Sequence, residues 1–213
     1  MSTKQPPVAN RRPYRHSYHG VELEDPYFWL QDPGYPQVED PDVLGYLNEE
    51  NAYYESWYEP HKTLTQTLFE ELKARKPEQD ESVPYEKNGY RYQWRFNAGD
   101  QYRVWLRQSI MDTSNVWETL LNENSLAEGC EYFRLGALAV SPDGTKLAYS
   151  TDTNGSERFI LQVIEIASGN ALTTPIENCV GSVVWNADSN GFAYRLVNEH
   201  WRPDKAMYRS LLG

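Results

Sequence analysis

The stretch Leu135–Asp152, LGALAVSPDGTKLAYSTD, decides the fold, because it returns 45 residues later as Val180–Val197, VGSVVWNADSNGFAYRLV. The two align without a gap: Gly136 with Gly181, Asp143 with Asp188, Ala148 with Ala193, and Tyr149 with Tyr194. Between the identities apolar faces apolar, as in Leu135 with Val180, Val140 with Trp185 and Leu147 with Phe192. Each copy reads as a strand, a polar turn, a second strand and then a third. A period of about 40–50 residues is what propeller blades show, with one four-stranded sheet per repeat. Chance likeness between two β-hairpins is the competing reading.

Turn chemistry extends the pattern in both directions. Ser141-Pro142-Asp143-Gly144 is a type I turn signal, in which proline presets φ and glycine accepts the exit conformation. Asn154-Gly155 predicts a tight hairpin for the strands around it. Upstream, Asn88-Gly89-Tyr90-Arg91-Tyr92 opens a strand to Phe96, Asn97-Ala98-Gly99-Asp100 turns the chain, and Tyr102 to Gln108 returns. Asn190-Gly191-Phe192-Ala193-Tyr194 resembles that opening, so the first hairpin belongs to the same series. The predicted inner pairs are 90–96 with 102–108, 146–151 with 158–165, and 192–197 with 206–211. The expected fold is therefore mainly β, an incomplete β-propeller of about three blades with the last unfinished. Rings of this kind close with about four to eight blades, which protects their strand edges. On this reading the chain is a piece of a larger ring.

Before the repeats the periodicity is different. Gly20 to Pro36 is punctuated by prolines and predicts an extended, winding segment. Asp40-Pro41 reads as a helix start, with Asp40 as N-cap and Pro41 at the first helical position. Val43, Leu44, Leu47 and Tyr54 carry that helix to about Trp57, and Pro60 interrupts it. Leu64, Leu68 and Leu72 lie four apart on one face of a second helix ended by Pro77. The polar, acidic segment 76–84, KPEQDESVP, reads as a linker, and as a hinge strand or a passive connection. The expected division is 1–78, extended and helical, and 79–213, partial propeller.

Composition bounds the chemistry. The chain has 213 residues and a formal net charge of −11, which argues against a phosphate-backbone partner. No run approaches the ~18 apolar residues of a membrane span, and the basic, polar start has no apolar core of a secretory signal. Cys130 and Cys179 lack C-x-x-C spacing and read as buried thiols of a reduced, cytoplasmic protein. His16, His19, His61 and His200 form no metal-binding spacing, and no metal or cofactor is expected. There is no G-x-S-x-G nucleophile elbow, Walker A sequence or G-x-G-x-x-G. The acidic clusters Glu22–Asp25 and Glu78–Glu81 lack Ca²⁺-loop spacing and read as solvated faces. No catalytic residue is assigned.

Four segments together, HGVELEDPYFWLQD (19–32), YLNEENAYYE (46–55), GYRYQWRFNAGDQYRVWLRQ (89–108) and AEGCEYFRLGALAVSPDGTKLAYSTDTNGSE (127–157), resemble a known family. They are similar to the N-terminal part of the prolyl oligopeptidase family of serine peptidases, and within it to the oligopeptidase B group. The resemblance implies a seven-bladed propeller covering an α/β-hydrolase domain, with residues 1–78 wrapping onto that domain. It also implies a parent enzyme that cleaves short peptides after Lys or Arg, with its Ser-Asp-His triad in the domain absent here. The propeller portion would gate access without being catalytic alone. Arg202-Pro203 and Lys205 would face the domain interface or form an ordinary blade loop. The alternatives are a non-enzymatic propeller-like binding module, and a fragment of a proline-specific oligopeptidase.

Overall fold

The computed structural model describes residues 5–34, 37–114 and 116–212. The chain divides into two compact units, Met1–Lys76 and Pro77–Gly213.

The first unit opens with a hairpin where an extended segment was expected. Strands β1 (Arg15–Tyr18) and β2 (Val21–Glu24) pair antiparallel, Tyr18 opposite Val21. His19 at φ 53° and Gly20 at φ 78° make the two-residue turn, the doubly positive conformation that matches strand twist. Beyond it a single 3-10 turn covers Phe28–Leu30. The Asp32 carboxylate then accepts from the backbone N–H groups of Gly34, Glu39 and Asp40. These bonds, Asp40 first, hold its pKa below the usual carboxylate range. Tyr35-Pro36, the end of the proline-punctuated stretch, lies outside the described residues.

Helix α1 (Pro41–Tyr58) starts as predicted: Asp40 accepts from Asp42 N and Val43 N at 2.8 and 3.2 Å. Pro60 sits in a 3-10 turn (Glu59–His61) that leads into α2 (Lys62–Ala74). Helix α2 buries none of its side chains. Its apolar stripe, Leu64, Leu68, Phe69 and Leu72, is about half exposed or more along its whole length.

In the second unit, the first sheet runs β3 (Asp80–Glu81), β5 (Tyr90–Phe96), β6 (Val104–Ser109) and β7 (Glu118–Asn122), with β4 (Tyr85–Lys87) also on β5. Asn88-Gly89, read from sequence as the opening of a strand, is the β4–β5 turn, with both residues at positive φ. After α3 (Glu123–Ala127) come β8 (Arg134–Val140), β9 (Lys146–Asp152), β10 (Phe159–Glu165), β11 (Ile176–Trp185), β12 (Gly191–Val197) and β13 (Pro203–Ser210). They form one six-stranded antiparallel sheet in chain order.

The predicted inner pairs form, 90–96 with β6, β9 with β10 and β12 with β13. Hydrogen bonding joins the second and third copies through β11: Cys179 pairs with Phe159 on one side and with Leu196 on the other. The sheet curls so that β11 returns against β8, where a Cβ on Gly181 would stand 3.1 Å from Gly136 Cα. The result is an open, curled β structure preceded by a helical segment.

The 45-residue repeat holds down to the hydrogen bonds of its turns. Gly144 donates to Ser141 O, and Ser189, one period on, donates to Asn186 O. Both donors lie at positive φ. Ser141 Oγ then accepts from Lys146 N, and Asn186 Oδ1 from Gly191 N, again one period apart. Leu147 and Phe192, equivalent positions, are both fully buried.

The Asn154-Gly155 hairpin is different from its expected form. The β9–β10 connection is a longer loop built on Asp152, which is 1% exposed. Its carboxylate accepts from the backbone N–H of Asn154, Gly155 and Glu157 at 3.1, 3.0 and 2.8 Å. A buried polar side chain is tolerated where several donors replace its hydration.

Candidate functional site

The segments singled out in the sequence become ordered backbone. Within 76–84, Asp80 and Glu81 pair with Phe96 and Arg95. Ser82 N donates to Trp94 O, and Ser82 Oγ accepts from Trp94 N. Glu81 accepts from Gln93 Nε2 at 2.8 Å. This latch is two residue pairs long, borders an open polar depression of about 590 Å³, and holds an edge strand by few bonds. Of the loop 202–205, Arg202 N donates to Asn198 Oδ1, and Pro203 to Lys205 open β13, the exposed outer strand of the second sheet.

What sequence reasoning did not reach is the seam between repeats. Trp185 Nε1 donates to Ala139 O at 2.9 Å, and Asp143 N donates to Ser189 Oγ at 2.9 Å. Trp201 Nε1 donates to Ser156 O. Each bond spans 45 or 46 residues, so equivalent parts of the two copies lie side by side. Arg158 adds a clamp, donating to Asn198 O at 2.8 Å and lying 4.8 Å from the Trp201 ring centre.

Arg107 does the same work between the first and second sheets. Its side chain is 8% exposed, pairs with Glu118 at 2.9 Å and donates to Gly144 O at 2.6 Å. It also lies over the Tyr90 ring, 4.6 Å from its centre. Arginine suits this task because its planar fork serves a carboxylate, a carbonyl and a ring face at once.

The titratable groups of the repeats are structural in their surroundings. Burial pushes the Asp143 carboxyl up, but hydrogen bonds from Lys146, Ser141 and Thr145 outweigh it and hold it well below the usual range. Burial raises Glu123, against the pull of the Trp105 N–H at 2.6 Å and of the Arg103 charge. Burial pushes the Cys179 thiol up to about 11, a poor nucleophile at neutral pH. Cys130 and Cys179 are free thiols.

The histidines are dispersed. His16 on β1 lies near Tyr14 and Phe28 at ring-centre distances of 5.8 and 6.3 Å, and His19 makes the hairpin turn. His61 packs on Trp57 at 5.0 Å, and His200 lies in the β12–β13 loop. Among the described residues no three His, Cys, Asp or Glu side chains converge as metal ligands. Nor is any helix among them long and apolar enough to cross a membrane.

Comparison with known proteins places this architecture. Residues 6–213 match the family model for the prolyl oligopeptidase N-terminal β-propeller domain. The chain is 32% identical over 207 residues to dipeptidyl aminopeptidase BI of Pseudoxanthomonas mexicana, covering 91% of this chain and 28% of that protein. It is 29% identical over 213 residues to protease 2 of Moraxella lacunata, covering 97% of this chain and 30% of that protein. Among solved structures it is similar to oligopeptidase B from Trypanosoma brucei with covalently bound antipain, closed form. That likeness has a TM-score of 0.81 and 27% identity, over 98% of this chain and 31% of the other. The chain thus spans about a third of the length of the proteins it matches.

Proposed function

Because the chain belongs to the prolyl oligopeptidase family, matching its N-terminal β-propeller domain, we propose that it is the access-controlling part of an oligopeptidase B-like serine endopeptidase. In this reading residues 79–213 are about three blades of a seven-bladed ring, and residues 1–78 pack on an α/β-hydrolase domain. The exposed stripe of α2 supports such a contact, since a continuous apolar face on a helix is normally covered. The complete enzyme would cleave short peptides after Lys or Arg, by acyl transfer through a serine activated by histidine. It would work in the cytoplasm, in keeping with the two free thiols. The two-pair latch of β3 is the proposed hinge. The observation that carries this reading is the likeness, along nearly the whole chain, to the inhibitor-bound oligopeptidase B.

The test is a chimera in which residues 1–212 replace the aligned N-terminal part of the Moraxella protease 2. It is expected to cleave a fluorogenic Arg-Arg peptide and to leave folded globular proteins intact, while the 213-residue chain alone turns nothing over. Turnover by the chain alone, or a folded chimera that digests folded proteins, would overturn the gating role. Preference for a Gly-Pro over an Arg-Arg probe would move the assignment to the proline-specific branch. A second reading, a binding module that adds strands to a partner's sheet, is favoured by the exposed edge of β13. A discrete, stable hetero-oligomer recovered on light scattering would support it.

A further inference from the structure

At one end of the curled sheet the two repeats leave a groove of about 330 Å³. Its floor is Phe159, and it runs where β8 and β11 approach at Gly136 and Gly181. At these equivalent glycines both strands slip register, β8 between Leu135 and Leu138 and β11 between Cys179 and Val183. Bulges at the same place in successive copies re-aim side chains and open the ladder there. A Cβ on Gly136 would stand 2.6 Å from the Phe159 ring, so the approach that shapes the groove depends on glycine.

Two groove residues hold costly backbone. Glu157 lies at φ 57° and Trp201 at φ 56°, the left-handed region that bulky side chains avoid. Such strain gathers where side-chain placement matters. Trp201 is fixed in place by its N–H bond to Ser156 O and by Arg158 against its ring. Trp201 as a whole remains 43% exposed and lines the groove as an aromatic wall.

Arg134 and Glu157 stand on the rim, 2.9 Å apart, with side chains 53% and 66% exposed. An ion pair this open contributes little to stability. It leaves guanidinium donors and a carboxylate oxygen to face a ligand. A positive and a negative group side by side above an aromatic floor complement an adjacent carboxylate and ammonium carried on an apolar side chain.

We propose that this groove binds a free α-amino acid with a large apolar or aromatic side chain. Its carboxylate meets Arg134, its ammonium meets Glu157, and its side chain lies between Phe159 and Trp201. The site lies wholly within the second unit, and the proposal stands independently of the peptidase reading.

Calorimetric titration of L-phenylalanine into the 213-residue chain tests it. A ligand of this size in a preformed groove is expected to bind with a Kd of about 1 mM. N-acetyl-L-phenylalanine and L-phenylalaninamide, each lacking one charge, are expected to bind at least about tenfold more weakly. In Glu157→Gln the penalty for acetylation disappears while that for amidation stays; in Arg134→Gln the reverse holds. Both positions are exposed, and unchanged circular dichroism melting shows that the variants fold. Absence of saturable binding within the solubility of phenylalanine would overturn the proposal. So would a preference among the three ligands that neither substitution alters.

Discussion

At the scale of single residues, the buried acids carry the sharpest consequences. Asp152 accepts from Asn154 N, Gly155 N and Glu157 N, backbone donors of its loop. Replacing it with alanine strands three backbone donors with only partial access to water. Each orphaned donor costs roughly 1–3 kcal/mol, with water recovering part of the sum. Asp152→Ala is therefore expected to lose about 3 kcal/mol, read as a lower urea midpoint at unchanged slope. Glu123 works in the opposite sense. Its folded pKa lies above the ordinary 4.5 through burial, so protonation favours the folded chain. That contribution is complete below the unfolded value and fades as pH rises through the folded one. Glu123→Gln keeps an acceptor for the Trp105 N–H and never ionises. Its stability relative to the parent chain is expected to rise between pH 4 and pH 7, measured by urea unfolding at each pH. A difference independent of pH would contradict the burial argument.

At the scale of elements, glycine in β8 and β11 sets how closely two copies stack. Gly136→Ala drives a methyl group into the Phe159 ring and toward Ser150 Oγ. Overpacking of this kind costs about 1–3 kcal/mol. The expected result is a lower melting temperature together with loss of the Trp185 to Ala139 bond, seen as faster exchange of the indole proton. Elements of this sort divide into those legible in sequence and those that are not. The period between Gly136 and Gly181 shows the repeat because every copy needs the same turn and the same buried position. Asp40-Pro41 shows a helix start because capping is local. The β1–β2 hairpin is not legible because His19-Gly20 is a weak turn signal that only its two positive φ values reveal. Asn88-Gly89 reads as a strand because its partner β4 is only three residues long, and the pull of Asp152 overrides the Asn154-Gly155 turn signal. The seam and the groove join residues 23 to 46 positions apart. Their contacts follow from how one copy is rotated on the next, which no local pattern encodes.

At the scale of the whole molecule, the chain presents two kinds of unsatisfied surface, each within its own unit. Helix α2 exposes Leu64 at 58%, Phe69 at 55% and Leu72 at 64%. Strand β13 offers an open backbone edge flanked by Met207 and Tyr208, with Arg209 and Lys205 as its charged deterrents. An apolar stripe associates without directional demands, whereas an edge needs a second strand in register, so the helix is expected to dominate self-association. Sedimentation velocity of the 213-residue chain should show reversible association at micromolar concentration. Leu64→Lys with Leu72→Lys, two exposed positions whose replacement leaves the helix propensity nearly unchanged, should return it to monomer. Met207→Lys should change the profile little. If instead the edge substitution dissolves the assemblies and the helix pair does not, the sheet edge is the adhesive surface. The α2 stripe would then lose its standing as the face that packs on another domain.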